Sequence, residues 1–210
     1  MVEFEIIAET LIKGDEAALI RLVQGALAEG AKPVEILNRG LIEGMNVVGE
    51  KMENGDIFIP EVLLSAKCMA AGVNILRPLL GADEMNLAGR VVIGTVKGDL
   101  HDIGKSLVRL MLESVGFEII DLGVDVAPEK FVQAVKEKKA NLVAMSALLT
   151  TTMPIMRLTI EAIKESGLRD RVKVMVGGAP VTSKFAKDIG ADGYAPDAGS
   201  ATKLAKTLLQ

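Results

Sequence analysis

The chain has 210 residues, half of them apolar and a quarter charged, with a net charge of −4, one cysteine and one histidine. That much apolar material can build a sizeable core without a structural metal. The lone cysteine cannot pair within the chain and fits a reducing compartment, and with no Lys/Arg-rich run a nucleic-acid partner is not expected.

The first 20 residues carry Glu3, Glu5, Glu9, Lys13, Asp15 and Glu16, which is wrong for a signal peptide. There is no run of about 18 uninterrupted apolar residues, so no membrane span or membrane partner is expected and a cytoplasmic location is. Up to residue 84 the apolar positions recur every three or four residues, in "FEIIAETLI", "EAALIRLVQGAL", "PVEILNRGLIEGMNVVGEKM" and "PEVLLSAKCMAAGVNILRPLL". Breaks fall at Gly14–Asp15, at Gly30–Lys32 and at Asn54–Asp56, and Pro33 and Pro60 suit first helical turns. This predicts a four-helix bundle in which Met45, Met52, Phe58, Ile59 and Met69 read as core and Cys68 as a buried thiol. "GADEMNLAGR", residues 81–90, reads as linker and hinge, giving a helical domain over 1–84, a linker at 85–90 and a second domain over 91–210.

From residue 90 short apolar strands alternate with helices: "RVVIGTV", "FEIIDLG", "NLVAMSA", "VKVMVGG" and "DGYA", each followed by an amphipathic segment. The fold class is therefore α/β, a helical bundle followed by a doubly wound, flavodoxin- or Rossmann-like five-stranded parallel sheet in the order 2-1-3-4-5. In that order the loops after strands 1 and 3 diverge at the switch point, where ligands bind outside the carboxyl ends of the strands. The loop after strand 1, "GTVKGDLHDIGKS", holds the only histidine; "SALLTTT" follows strand 3, and Gly177–Gly178 follow strand 4.

A phosphate-binding loop needs four residues between its glycine and the Gly-Lys-Ser/Thr. Here five separate Gly98 from Gly104, and Asp99 and Asp102 would repel an anion. As a metal site the loop offers one good ligand, His101, with Asp99 two residues away to fix its tautomer. With no second histidine and the only cysteine in the other half, the remaining ligands must come from a macrocycle.

Asp99-x-His101-x-x-Gly104, then 41 residues to Ser146-x-Leu148, then 28 residues to Gly177-Gly178, resembles the cobalamin-binding signature of methionine synthase and of the corrinoid proteins of methyltransferase systems. The helical half resembles the cap domain of the same proteins, so the likeness covers essentially the whole chain. It implies a cobalamin or related corrinoid cofactor, with His101 as the lower axial ligand of cobalt in place of the cofactor's own base, and Asp99 hydrogen-bonded to the far side of the imidazole. A hydroxyl extends this relay, and by spacing that is Thr152 in preference to Thr150. Ser146 and Leu148 would line the pocket for the displaced nucleotide tail, Gly104, Gly177 and Gly178 would make room for it, and Asp102, Ile103 and Thr150 are further expected cofactor-binding residues. Met52 and Ile59 correspond to the cap residues that shield the methyl group; the first departs from methionine synthase, which has phenylalanine there.

The resemblance further implies a methyl carrier rather than a complete enzyme, loaded on Co(I) by a substrate-specific methyltransferase and unloaded by a second one, with a reductive activase as a further candidate partner. Taken singly, each residue has an ordinary reading. His101 could be a surface residue, Asp99 and Asp102 helix caps, Ser146 a strand-end hydroxyl, Thr150 to Thr152 a cap ahead of Met153–Pro154, and the glycines a turn. The alternatives within cobalamin proteins are a component of an adenosylcobalamin mutase, which lacks the helical cap, and a cobalamin-dependent regulator, for whose DNA-binding domain no segment is spare.

Overall fold

The computed structural model describes residues 3–80 and 88–210 and groups them into two compact units, one helical and one α/β. The proposed hinge, 81–90, lies outside the described residues but for its last three.

The helical unit consists of α1 (Phe4–Ile12), α2 (Glu16–Ala28), a continuous run made of α3 (Pro33–Glu35), a π-helical segment (Ile36–Ile42) and α4 (Glu43–Glu53), and α5 (Ile59–Leu76) closed by a short 3₁₀ turn (Arg77–Leu79). Each start has a local cause. The Asp15 carboxylate accepts from the Ala18 amide at 2.9 Å to cap α2. Pro33 opens α3, and Glu61 reaches back to the Phe58 amide at 3.1 Å to cap α5. The seven-residue π-helical segment breaks the expected 3.6-residue period. It carries Gly40, where a Cβ would lie 2.9 Å from the Ile7 side chain, so α1 approaches closely there. The core is Ile7, Leu11, Leu19, Val23, Ile36, Leu41, Met45, Val48, Val62, Met69 and Leu76.

Three of the expected core residues are not core. Phe58 and Ile59 are exposed and Met52 only half-buried. For Phe58 and Ile59 the cause is the phase of α5, which buries the stripe Val62, Ser65, Ala66, Met69, Gly72 and Leu76 and leaves its entry residues outside; Met52 lies in α4, whose buried face is Gly44, Met45, Val48 and Gly49. An uninterrupted-run criterion also passes over this helix. Residues 59–79 are long and apolar enough to cross a membrane by length and composition, but they contain Glu61 and Lys67 and bury a core stripe within the unit.

The α/β unit alternates strictly: β1 (Gly89–Thr95), α6 (Ile103–Ser114), β2 (Phe117–Asp121), α7 (Pro128–Lys138), β3 (Leu142–Ser146), α8 (Met153–Glu165), β4 (Lys173–Gly177), α9 (Ser183–Asp188), β5 (Gly193–Ala195) and α10 (Ala198–Leu209). All pairings are parallel, in the order β2-β1-β3-β4-β5. The central strands read as continuous apolar runs because both faces are covered. On one face Val92, Val143, Met145, Val174 and Val176 pack against Phe131 and Val135 of α7, Met156, Ile160 and Ile163 of α8, and Ala186 of α9; α6 and α10 complete the cover. In register, Thr95 lies beside Ser146 and Ser146 beside Gly177, so the ends of β1, β3 and β4 finish level.

Phe131 is fully buried in this layer, against Gly94 of β1. Phe131→Ala is expected to remove about 3–5 kcal/mol from the unfolding free energy of the α/β unit, while Phe58→Ala, at an exposed site, stays within about 0.5 kcal/mol of wild type. Urea denaturation of the two variants checks this.

Candidate functional site

The loop leaving β1 is built around one carboxylate. Val96 remains tied to the sheet, its amide donating to the Ser146 carbonyl at 3.0 Å, and the Asp99 amide closes a turn on the Val96 carbonyl at 3.1 Å. Gly98 sits in that turn at φ +84, a conformation in which a Cβ is strained. The turn sends the Asp99 side chain inward, where it is 0% exposed.

Five donors meet there. Oδ1 accepts from the His101 amide at 3.1 Å and from Nδ1 of the His101 ring at 2.7 Å. Oδ2 accepts from the amides of Leu148 and Leu149 at 2.8 and 3.2 Å, and from the Thr152 hydroxyl at 2.8 Å. Burial pushes this carboxyl's pKa up, but the bonds from the His101 ring, the Leu148 amide, the Thr152 hydroxyl and the His101 amide outweigh it, holding the group ionised well below the usual carboxylate range. An ionised acceptor fixes the proton of the imidazole on Nδ1 and leaves Nε2 to act as a ligand. The His101 side chain is 51% exposed.

The structure thus brings together His101, Asp99 and Thr152, and separates Thr152 from Thr150, which is exposed. The Thr152 hydroxyl also lies 2.9 Å from the Leu149 carbonyl, so its single proton can serve either acceptor. Leu148 contributes its amide to Asp99, and its side chain is exposed. Ser146 ends β3, half-buried, beside Thr95. Asp102 is exposed ahead of α6, its carbonyl accepting from the Ser106 amide at 2.7 Å as the first helical bond. A Cβ on Gly104 would meet open space. Gly177 and Gly178 are required by the protein itself: a Cβ would lie 2.9 Å from the Ala195 carbonyl in the first case and 1.9 Å from the Ala147 carbonyl, at φ +127, in the second. Met52 and Ile59 belong to the helical unit.

Sequence reasoning missed several residues. Lys105, one residue past Gly104, is buried and paired with both oxygens of Asp121 at 2.6 and 2.7 Å, locking the first turn of α6 to the end of β2. Its lysine-in-a-helix context carried no signal, since lysines there are usually solvated. Leu100 and Leu149 join Ile103 and Leu148 as exposed large apolar side chains around His101; Leu100 is 71% and Ile103 80% exposed. Such a rim, beside a half-exposed imidazole, offers one bond to a metal and a dispersive surface around it.

Among the described residues no group of three or more His, Cys, Asp or Glu side chains could hold a metal by itself. One imidazole with an apolar rim would suit a metal that brings its other ligands with it.

Known proteins point the same way. The B12 binding domain family matches residues 89–203, and a second B12 binding domain family matches residues 3–77. The dimethylamine corrinoid protein 2 of Methanosarcina acetivorans is 47% identical over 97% of this chain and 94% of its own length. A crystal structure of a cobalamin-binding protein from Desulfitobacterium hafniense DCB-2 superposes with a TM-score of 0.86 at 32% identity, covering 99% of both chains. The methanol:cobalamin methyltransferase complex MtaBC from Methanosarcina barkeri contains a chain that matches with a TM-score of 0.83 at 31% identity, over 97% of this chain and 78% of that one.

Because Asp99 is held ionised in the folded state, the unfolded chain takes up this proton first as pH falls. The stability it contributes is complete above about pH 4 and is lost progressively as pH drops below that toward the folded-state value. Asp99→Asn, which turns one acceptor into a donor facing donors, is expected to cost at least about 1.5–3 kcal/mol at pH 7. The gap to wild type narrows below about pH 4. Denaturant titrations of both proteins at pH 7 and pH 3 measure it.

Proposed function

The chain belongs to the B12-binding family and binds a corrinoid, and from that premise we propose that it carries a methyl group on the corrinoid's cobalt between two methyltransferases. The observation that carries the reading is the chain of contacts His101–Asp99–Thr152 at the switch point, with a half-exposed imidazole at its end. The corrinoid, when bound, supplies the nucleophilic metal centre that takes up and gives away the methyl group. The protein supplies ligation, orientation and exclusion of water.

In this reading His101 Nε2 would be the protein's ligand to cobalt, taking the place of the cofactor's own base. Asp99 holds the Nδ1 proton and so keeps Nε2 basic. That bond to Asp99 would set which ring nitrogen faces the metal. The Thr152 hydroxyl, with its alternative acceptor at Leu149, adjusts to the charge on Asp99. Leu100, Ile103, Leu148 and Leu149 form the apolar seat. Ser146 and Leu148 are assigned to line the space for the displaced tail and Gly104, Gly177 and Gly178 to make room for it, with Asp102 and Thr150 as further cofactor-binding residues of this reading. Met52, half-buried, and Ile59, exposed, are the side chains of the helical unit assigned to shield the methyl group.

A substrate-specific methyltransferase is the expected first partner, as the presence of a related chain in the MtaBC complex supports. A second methyltransferase on the acceptor side and a reductive activase are the further partners of this reading. In this reading the first methyltransferase, a separate chain, chooses the donor; among similar proteins one is named for dimethylamine and another belongs to a methanol system. A cap over 1–84, a linker at 85–90 and a cobalamin domain over 91–210 form the proposed division of labour. A cytoplasmic location is part of the same reading.

Mixed with methylcobalamin and gel-filtered, the wild-type protein is expected to retain stoichiometric corrinoid with a base-coordinated visible spectrum. His101→Ala is expected to give a base-off spectrum. Retention of corrinoid with an unchanged spectrum in His101→Ala would remove His101 as the ligand.

A further inference from the structure

The imidazole of His101 is held by Asp99, but its main chain is held from elsewhere. Thr95, the last residue of β1, is fully buried, and every polar group it has is engaged. Its amide donates to the Gly123 carbonyl at 3.0 Å, its carbonyl accepts from the Val126 amide at 3.0 Å, and its hydroxyl donates to the carbonyl of His101 at 2.9 Å. A second hold acts from the turn between β2 and α7. Asp125, at φ +53, donates its amide to the Asp99 carbonyl at 3.0 Å and accepts the Gly98 amide on its carboxylate at 2.7 Å. An aspartate in the left-handed region is uncommon, and here the conformation aims both its polar groups at the same loop. Residues 98 to 101 are thereby fixed through three main-chain groups, by a strand end on one side and a turn on the other.

We propose that Thr95 and Asp125 are positioning residues for His101: they anchor the loop's backbone so that the imidazole can leave the cobalt and return by side-chain rotation alone. The inference rests on the reading of His101 as axial ligand. Its physical basis is preorganisation. A loop that relaxed each time the ring was released would add its ordering entropy to the cost of religation, whereas a loop already tied at the carbonyls of Asp99 and His101 and the amide of Gly98 does not.

The test compares ligation in variants that keep the shape and remove the bond. Thr95→Val replaces the hydroxyl with a methyl group and Thr95→Ser restores the donor. Asp125→Gly tolerates the positive φ and removes the carboxylate, while Asp125→Asn keeps an acceptor oxygen. Each protein is loaded with cob(II)alamin, gel-filtered and examined by electron paramagnetic resonance for the fraction of cobalt carrying an axial nitrogen, beside His101→Ala.

Thr95→Val and Asp125→Gly are expected to retain corrinoid and to shift the ratio of ligated to unligated cobalt about three- to tenfold toward unligated, the size of one lost hydrogen bond. Thr95→Ser and Asp125→Asn are expected to match wild type. A purely structural role would lower the thermal midpoint without moving this ratio. If Thr95→Val does not fold, Asp125→Gly, altered at an exposed side chain, carries the test. Wild-type ratios in the variants that fold overturn the anchor while leaving the ligand assignment intact. Unchanged axial nitrogen in His101→Ala overturns the ligand assignment, and the anchor with it.

Discussion

A carboxylate buried without partners would be prohibitively costly, so the position of Asp99 dictates what surrounds it. Its five donors come from the loop after β1 and from the segment between β3 and α8. The two loops that diverge at the switch point are therefore joined through one side chain. Satisfying it orients the imidazole, sets the approach of Leu148 and Leu149 and fixes the first residues before α8. The geometry of the site is a consequence of keeping a negative charge inside the protein.

The rest of the α/β unit holds that charge where it is useful. Parallel strands that end level place three loops along one edge of the sheet, and Gly178 lets the loop after β4 press against Ala147, just before Leu148. On the opposite flank the buried Lys105 ties α6 to β2 by pairing with the exposed Asp121, and Arg109 adds a weaker contact to Asp121 at 3.6 Å. Burial pushes the Asp121 pKa up, but the bonds from Lys105 and the Gly123 amide and the charges of Lys105 and Arg109 bring it below its ordinary value. Pairs of this kind contribute little net stability and fix one arrangement over others. Here the arrangement fixed is the direction in which α6 leaves the His101 loop.

Much of this was legible in the chain. Alternating apolar runs and amphipathic segments marked the strands and helices, and a central parallel sheet made the order of the strands and the switch-point site follow. Asp99 and His101 were legible because a lone histidine beside an acid, in a loop after the first strand, is chemically unusual. Thr152 could be preferred to Thr150 only by spacing, and the hydrogen bond to Asp99 at 2.8 Å supplies the reason. Thr95, Asp125 and Lys105 escaped notice because their partners are 6, 26 and 16 residues away and nothing local marks them. The exposure of Phe58 and Ile59 escaped notice because helix phase, and not hydrophobicity, decides which side of α5 is covered. Gly177 and Gly178 carry a constraint that the sequence does not display: a Cβ at either would run into a backbone carbonyl of the protein itself, Ala195 or Ala147.

The central claim is that the one histidine of the chain is the axial ligand of cobalt, and its being the only one makes a direct test available. Protein made with ¹⁵N-labelled histidine carries the label at His101 and nowhere else. Loaded with cob(II)alamin of natural isotopic content, it should show its axial superhyperfine pattern as doublets, since the coordinating nitrogen comes from the protein. A pattern that remains triplets, as in unlabelled protein, would mean that the nitrogen on cobalt belongs to the cofactor's own base and would contradict the account.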